Sequence, residues 1–316
     1  MLVTLLTLLL GLTLLYVGAE GLVRGASCLG LKLGLTPLVI GLTVVAFGTS
    51  APELLVSVQA GIADQGAIAI GNVVGSNIAN IGLILGLAAL VRPINVRAQL
   101  VRFELPLVIA VSVLLTVLLW NGLVGRIEGL LLFLGVIAFT VYSLRAARAK
   151  QAPEVEAEFA ESMPAAERPT WQYVVLTLVG LAVLVVGARV LVSAAVDIAR
   201  ALGLSEALIG LTIIAIGTSL PELAASMVAA AKREGDIAVG NVLGSNLFNI
   251  LCVVGLAALI VPLEAGGVSH IDLAVMIAIA VVLLPIMRTR FVIGRIEGAG
   301  LVLIYAGYLA WLAAGA

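Results

Sequence analysis

The sequence predicts an all-α membrane protein: ten transmembrane helices arranged as two inverted five-helix repeats. Composition is the first observation behind this. Of 316 residues, 62% are hydrophobic and 11% charged, where soluble domains carry about 25% charged residues. The second is a series of ten apolar runs, each close to the roughly 20 residues that cross a bilayer core. The third is a repeat at an offset of 169. GLTVVAFGTSAPELL at 41–55 returns as GLTIIAIGTSLPELA at 210–224, with 10 identities in 15. GNVVGSNIAN at 71–80 returns as GNVLGSNLFN at 240–249, with 7 in 10, and GRIEG recurs at 125–129 and 294–298. Five crossings per half is an odd number, so the second half must enter from the opposite side. Many secondary transporters are built this way, with a binding site at the midplane where the halves meet.

Each run has its own justification. The first, 2–22, has no basic residue ahead of it and outlasts a signal peptide, so it is expected as a retained helix. The second and third, 36–60 and 67–91, carry the two repeated motifs, and 100–121 and 127–145 complete the first half, residues 1–146. Residues 147–170 hold Glu154, Glu156, Glu158, Glu161, Glu167 and three prolines, a composition that reads as a solvated cytoplasmic linker. The runs 172–193, 205–230, 237–261, 270–287 and 296–313 make the second half, residues 171–316. With the N-terminus outside, 14 of the 17 Lys and Arg residues fall on the inner side and only Arg126, Arg189 and Arg200 on the outer. Positive charge collects on the cytoplasmic side, so both termini are expected outside, in the cell (inner) membrane. The repeat also equates unlike residues, Glu20 with Arg189 among them, and these receive no role from the sequence.

A carboxylate deep in a bilayer helix costs about 2.5–3.5 kcal/mol and marks ion pathways. Glu53 and Glu222 each lie about 18 residues into their runs, after Gly48-Thr49-Ser50-Ala51-Pro52 and Gly217-Thr218-Ser219-Leu220-Pro221. Proline lacks an N–H and clashes with the carbonyl four residues back, here Gly48 or Gly217. A broken helix is expected, with freed carbonyls beside a carboxylate and two hydroxyls. Such backbone is tolerated at membrane depth only where it lines a cavity or is buried in protein. In the second motif Asn72, Ser76 and Asn80 are spaced by four and form one polar stripe, matched by Asn241, Ser245 and Asn249. Gly71/Gly75 and Gly240/Gly244 would allow close helix packing.

These donors are all hard oxygens, with no His or Cys among them, which argues against zinc, copper or iron and for Ca²⁺, which takes 6–8 oxygens in flexible arrangements. Two Glu side chains neutralise one divalent cation, and the hydroxyls and carbonyls can hold Na⁺ in its place. A bland alternative stays open: Ser50-x-x-Glu53 and Ser219-x-x-Glu222 also fit capping boxes for the downstream helices. Cys28 and Cys252 have no ligand spacing and read as packing residues. His270 stands alone at a helix end. No catalytic motif such as HExxH or G-x-S-x-G is present, so an enzyme is not expected.

At GTS-x-PE and GN-x-x-GSN, each present twice, the chain resembles the sodium/calcium exchanger branch of the cation/Ca²⁺ exchanger superfamily, whose hallmark is two alpha-repeats. The resemblance spans essentially the whole chain. It implies a Ca²⁺/Na⁺ antiporter working by alternating access, with helices one and six as sliding gates. Glu53 and Glu222 would be the central Ca²⁺ ligands, aided by the carbonyls of Thr49 and Thr218. Na⁺ would be shared among the Ala46 carbonyl, Thr49, Ser50, Glu53 and Ser76, and among the Ala215 carbonyl, Thr218, Ser219, Glu222 and Ser245. Asn80 and Asn249 would flank the centre; many relatives carry Asp at the latter position, so stoichiometry and any K⁺ involvement stay open. No cofactor is implied beyond the transported ions, no nucleic acid partner, and one chain is expected to function as a monomer in the bilayer. H⁺/Ca²⁺ or K⁺-dependent exchange, and more distantly a cation channel, are the alternatives.

Overall fold

The computed structural model describes residues 2–148, 168–201, 215–266 and 268–315. The chain opens with α1 (Leu2–Leu33). It continues as α2 (Pro37–Thr49) and α3 (Ala51–Ile62), two helices meeting at 44°. The rest of the first half is α4 (Gly66–Val91), α5 (Leu100–Asn121) and α6 (Arg126–Arg148). The second half comprises α7 (Thr170–Ala201), α8 (Ala215–Thr218), α9 (Leu220–Ala231), α10 (Gly235–Ile260), α11 (His270–Arg288) and α12 (Arg295–Gly315). Among the described residues eight helices are long and apolar enough to cross a membrane, or nine if α2 and α3 form one span. The expected helix 205–230 is described only from Ala215, and most of the expected linker 147–170 lies outside the described residues.

Local chemistry sets the breaks. Gly34, with φ 66°, ends α1. The Thr36 side chain then caps α2, accepting from Val39 N at 3.4 Å, with Pro37 in the first turn. Pro52 and Pro221 sit in the first turns of α3 and α9, where a missing N–H costs nothing. Ser269 and Asp272 form a capping box at the start of α11.

Two expectations need correction. The first and sixth helices run to Leu33 and Ala201, each 32 residues, well beyond 2–22 and 172–193. The molecule is also not purely helical. Strands β1 (Ile94–Asn95) and β4 (Val292–Ile293) pair antiparallel, as do β2 (Leu123–Val124) and β3 (Leu263–Glu264). Two-residue strands are too short to leave an alternating pattern in the sequence.

α4 and α10 form the centre, 78% and 83% buried, whereas the peripheral helices turn Leu, Val and Ile outward. Gly240 and Gly244 of α10 lie against Leu38, Leu42 and Ala46 of α2; a Cβ on Gly244 would sit 2.7 Å from Leu42 O. The positions equivalent to those partners, 207, 211 and 215, fall at or beyond the edge of the described residues, so Gly71 and Gly75 have no such test. α1 and α7 pack along a glycine seam. Gly11 faces Leu191, Gly18 faces Leu184, Gly25 faces Thr177 and Gly187 faces Leu15. In every pair the numbers sum to 202, the signature of antiparallel helices in fixed register. Side chains that small let backbones meet.

One end of this assembly is tied by polar contacts. Ser27 donates to Glu234 at 2.6 Å, Lys232 pairs with Glu20 at 2.6 Å, and Arg97 with Asp236 at 2.6 Å. Glu234 is 4% exposed, and burial pushes its carboxyl up to about 7 despite the Ser27 bond and nearby Lys232. Cys28 and Cys252 are free and buried.

Candidate ion-binding site

Glu53 and Glu222 are 0% and 1% exposed, each in the first turn of its helix just after the break. Among the described residues neither meets a basic side chain. The hydroxyls beside them reach across the halves. Ser50 donates to Glu222 Oε1 at 3.1 Å, and Ser219 lies 3.2 Å from both Glu53 Oε1 and Ser76 Oγ. Neither serine makes a side-chain cap bond to its own helix. The capping-box alternative therefore fails: the serines serve the opposite carboxylate.

A second layer holds the broken backbone. Asn72 Nδ2 donates to Ser57 Oγ at 3.0 Å and to Glu53 O at 3.4 Å. Asn241 Nδ2 does the same to Ser226 Oγ at 2.9 Å and Glu222 O at 3.3 Å. Thr49 donates to Asn241 Oδ1 at 3.2 Å. Thr218 sits half-buried at the matching break.

A third layer crosses between α4 and α10. Asn77 and Asn246 each donate to the other's carbonyl at 3.3 Å. Their side-chain oxygens accept from the amides of Asn249 and Asn80, at 3.0 and 2.9 Å. With their N–H groups engaged outward, Asn80 and Asn249 keep Oδ1 free. Each of the two begins a π-helical turn, Asn80–Leu85 or Asn249–Val254, a feature frequent at functional sites.

Five buried oxygens of this centre have no hydrogen-bond partner among the described residues: Glu53 Oε2, Glu222 Oε2, Asn80 Oδ1, Asn249 Oδ1 and Ser245 Oγ. Leaving a buried polar atom unsatisfied costs about 1–3 kcal/mol, more for a charge. Hard cations take oxygens of this kind as ligands. No cluster of three or more His, Cys, Asp or Glu occurs among the described residues; the unpartnered oxygens belong to two carboxylates, two amides and one hydroxyl.

Of the two carbonyls expected as Na⁺ ligands, the first is already engaged. Ala46 O already accepts from Ser50 N at 3.0 Å and Thr49 Oγ1 at 3.4 Å. In the second half Ser219 N bonds Ile216 O at 3.1 Å. Sequence reasoning missed Ser57, Ser226 and the orienting role of Asn77 and Asn246. The repeat itself was the available signal, since both pairs obey the 169 offset.

The profile of the family described as sodium/calcium exchanger protein matches residues 3–145 and 172–314. The chain belongs to that family. The exchanger is 36% identical to sodium/calcium exchanger MaX1 of Methanosarcina acetivorans, over 97% of each chain. It is 40% identical to inner membrane protein YrbG of Escherichia coli K12, over 97% of this chain and 94% of that one. A solved structure of the sodium-calcium exchanger NCX_Mj, soaked with zero Na⁺ and Ca²⁺, superposes with a TM-score of 0.84 at 32% identity, covering 98% and 99% of the two chains. The exchanger is thus a helical membrane transporter, not an enzyme.

Proposed function

We propose that the exchanger binds Ca²⁺ and Na⁺ alternately at one site assembled from both halves, Glu53 and Glu222 neutralising a single Ca²⁺. Its activity is Ca²⁺/Na⁺ antiport. The observation that carries the site is the set of five unpartnered buried oxygens around two carboxylates without a counter-charge. Thr49, Ser50 and Ser76 with Thr218, Ser219 and Ser245 supply hydroxyls, Asn80 and Asn249 amide oxygens, and Ala46 and Ala215 carbonyls. Ca²⁺ and Na⁺ draw on the same oxygens, so one excludes the other.

Contacts at the helix ends support ten crossings in two inverted halves. A strand pair joins only segments on one side of the membrane. Between β2 and β3 lie α6, α7, the α8–α9 segment and α10, so the segment must itself cross for the count to be even. Between Ser27 and Glu234 lie α2–α3, α4, α5, α6, α7 and α8–α9, so the α2–α3 pair must cross as well. The antiparallel α1–α7 seam fits the same inversion. With the positive-inside count, both termini lie outside and the linker in the cytoplasm. The Escherichia coli relative is described as an inner membrane protein, which supports that location here. One chain supplies the whole site, so a monomer suffices. α1 and α7, fastened by their glycines, would slide as one body to open the site to either side.

Na⁺-gradient-driven ⁴⁵Ca²⁺ flux in proteoliposomes tests this reading. Glu53→Gln and Glu222→Gln should each abolish flux; flux unaffected by either overturns the site. Ca²⁺ flux driven by a pH gradient without Na⁺ would instead favour H⁺ as counter-ion.

A further inference from the structure

We propose that Arg189 is a charge barrier at the outer mouth of the ion site, one that holds back Ca²⁺ more strongly than Na⁺. A cleft of about 320 Å³ lies between α3, α7 and the α8–α9 break. Its lining includes Pro52, Thr218 and Pro221, which border the two breaks beside Glu53 and Glu222. Its walls include Val185 and Val192, and Arg189 is the one charged residue on its described lining. Arg189 is exposed, so its charge faces whatever enters. Apolar walls focus the field of a single charge along such a passage.

The repeat makes the placement informative. The equivalent of Arg189 is Glu20, on α1, and Glu20 is neutralised by Lys232 at 2.6 Å. The equivalent position in the first half therefore carries a compensated pair, where Arg189 places a positive charge on the cleft. A potential φ changes the local concentration of an ion of charge z by the factor exp(−zeφ/kT). Whatever factor Arg189 imposes on Na⁺, it imposes squared on Ca²⁺. The barrier leaves the overall exchange equilibrium untouched, because it acts on approach from one side only. Its effect is kinetic preference: the outer face loads Na⁺ in favour of returning Ca²⁺. This rests on the site and orientation proposed above.

The test compares initial flux at limiting Na⁺ or Ca²⁺ at each face, in right-side-out and everted vesicles of neutral lipid, for the unaltered protein, Arg189→Gln and Arg189→Lys. Arg189→Gln should raise the outer rate roughly twofold per Na⁺ and roughly fourfold for Ca²⁺, leaving inner rates unchanged, while Arg189→Lys behaves as the unaltered protein. Impermeant salt should shrink the effect, and in the unaltered protein it should raise the outer Ca²⁺ rate more steeply than the Na⁺ rate. That arm needs no variant to fold. Equal factors for the two ions, no change in Arg189→Gln, or Arg189→Lys behaving as Arg189→Gln overturns the barrier. The squared relation appearing at the linker face overturns the orientation instead, and flux insensitive to Glu53→Gln overturns the site.

Discussion

Ser50 reaches Glu222 at 3.1 Å and Ser219 reaches Glu53 at 3.2 Å, so at the centre each half makes the same bond to the other's carboxylate. At the ends the halves differ. Ser27 and Glu234 form a buried bond at one end, while their equivalents, Val196 and Gln65, cannot make one, since valine has no hydroxyl to donate; Glu20 stands opposite Arg189. The difference separates two demands on a duplicated chain. A cation held between the halves meets both at once, so the ligands stay matched. The mouths face different solutions, and there the repeat is free to diverge.

If the centre is truly shared, paired substitutions should have equal effects. Glu53→Asp and Glu222→Asp draw the carboxylate back by one methylene, and each should lower Ca²⁺ flux at least about a hundredfold, since misplacing a group by about 1 Å can cost that much. A large inequality would break the symmetry. The α1–α7 seam offers a structural version. Gly11→Ala sets a Cβ 2.7 Å from Leu191 N, and Gly180→Ala drives one into Leu22 N. Overpacking of this kind costs about 1–3 kcal/mol, so both should lower the thermal midpoint of the purified protein by similar amounts. Next come the orienting amides. Asn77→Ala and Asn246→Ala should each weaken Ca²⁺ activation roughly tenfold, in keeping with other partners that orient metal ligands, while flux persists at high Ca²⁺.

The smallest effect belongs to the asymmetric end. Glu234 is raised to about 7 in the folded protein against 4.5, so its protonated form is favoured there. The stability it contributes is complete below 4.5 and is lost as pH rises through 7. Between pH 6 and pH 8 the loss should be about 1 kcal/mol, seen as a falling thermal midpoint. Glu234→Gln should flatten that slope, and Gln65→Ala at the equivalent position should not.

Much of this was legible in the chain because duplication writes every important residue twice. GTS-x-PE at Glu53 and Glu222, and the stripe through Asn72, Ser76 and Asn80, stood out against an apolar background where polar groups are costly. The helix break was legible too, since Pro52 and Pro221 forbid a continuous ladder. The direction of Ser50 and Ser219 was not, because a serine three residues before a glutamate fits a cap as well as a cross-half bond. Only packing decides between them. Nor did the residues announce the π-helical turns at Asn80 and Asn249.

Equilibrium Ca²⁺ binding to the purified exchanger, measured by calorimetry in Na⁺-free detergent solution, tests the shared site most directly. One Ca²⁺ should bind per chain, and Glu53→Gln or Glu222→Gln alone should remove it completely. Two Ca²⁺ per chain, with each substitution abolishing one and sparing the other, would mean two independent half-sites and would contradict the account.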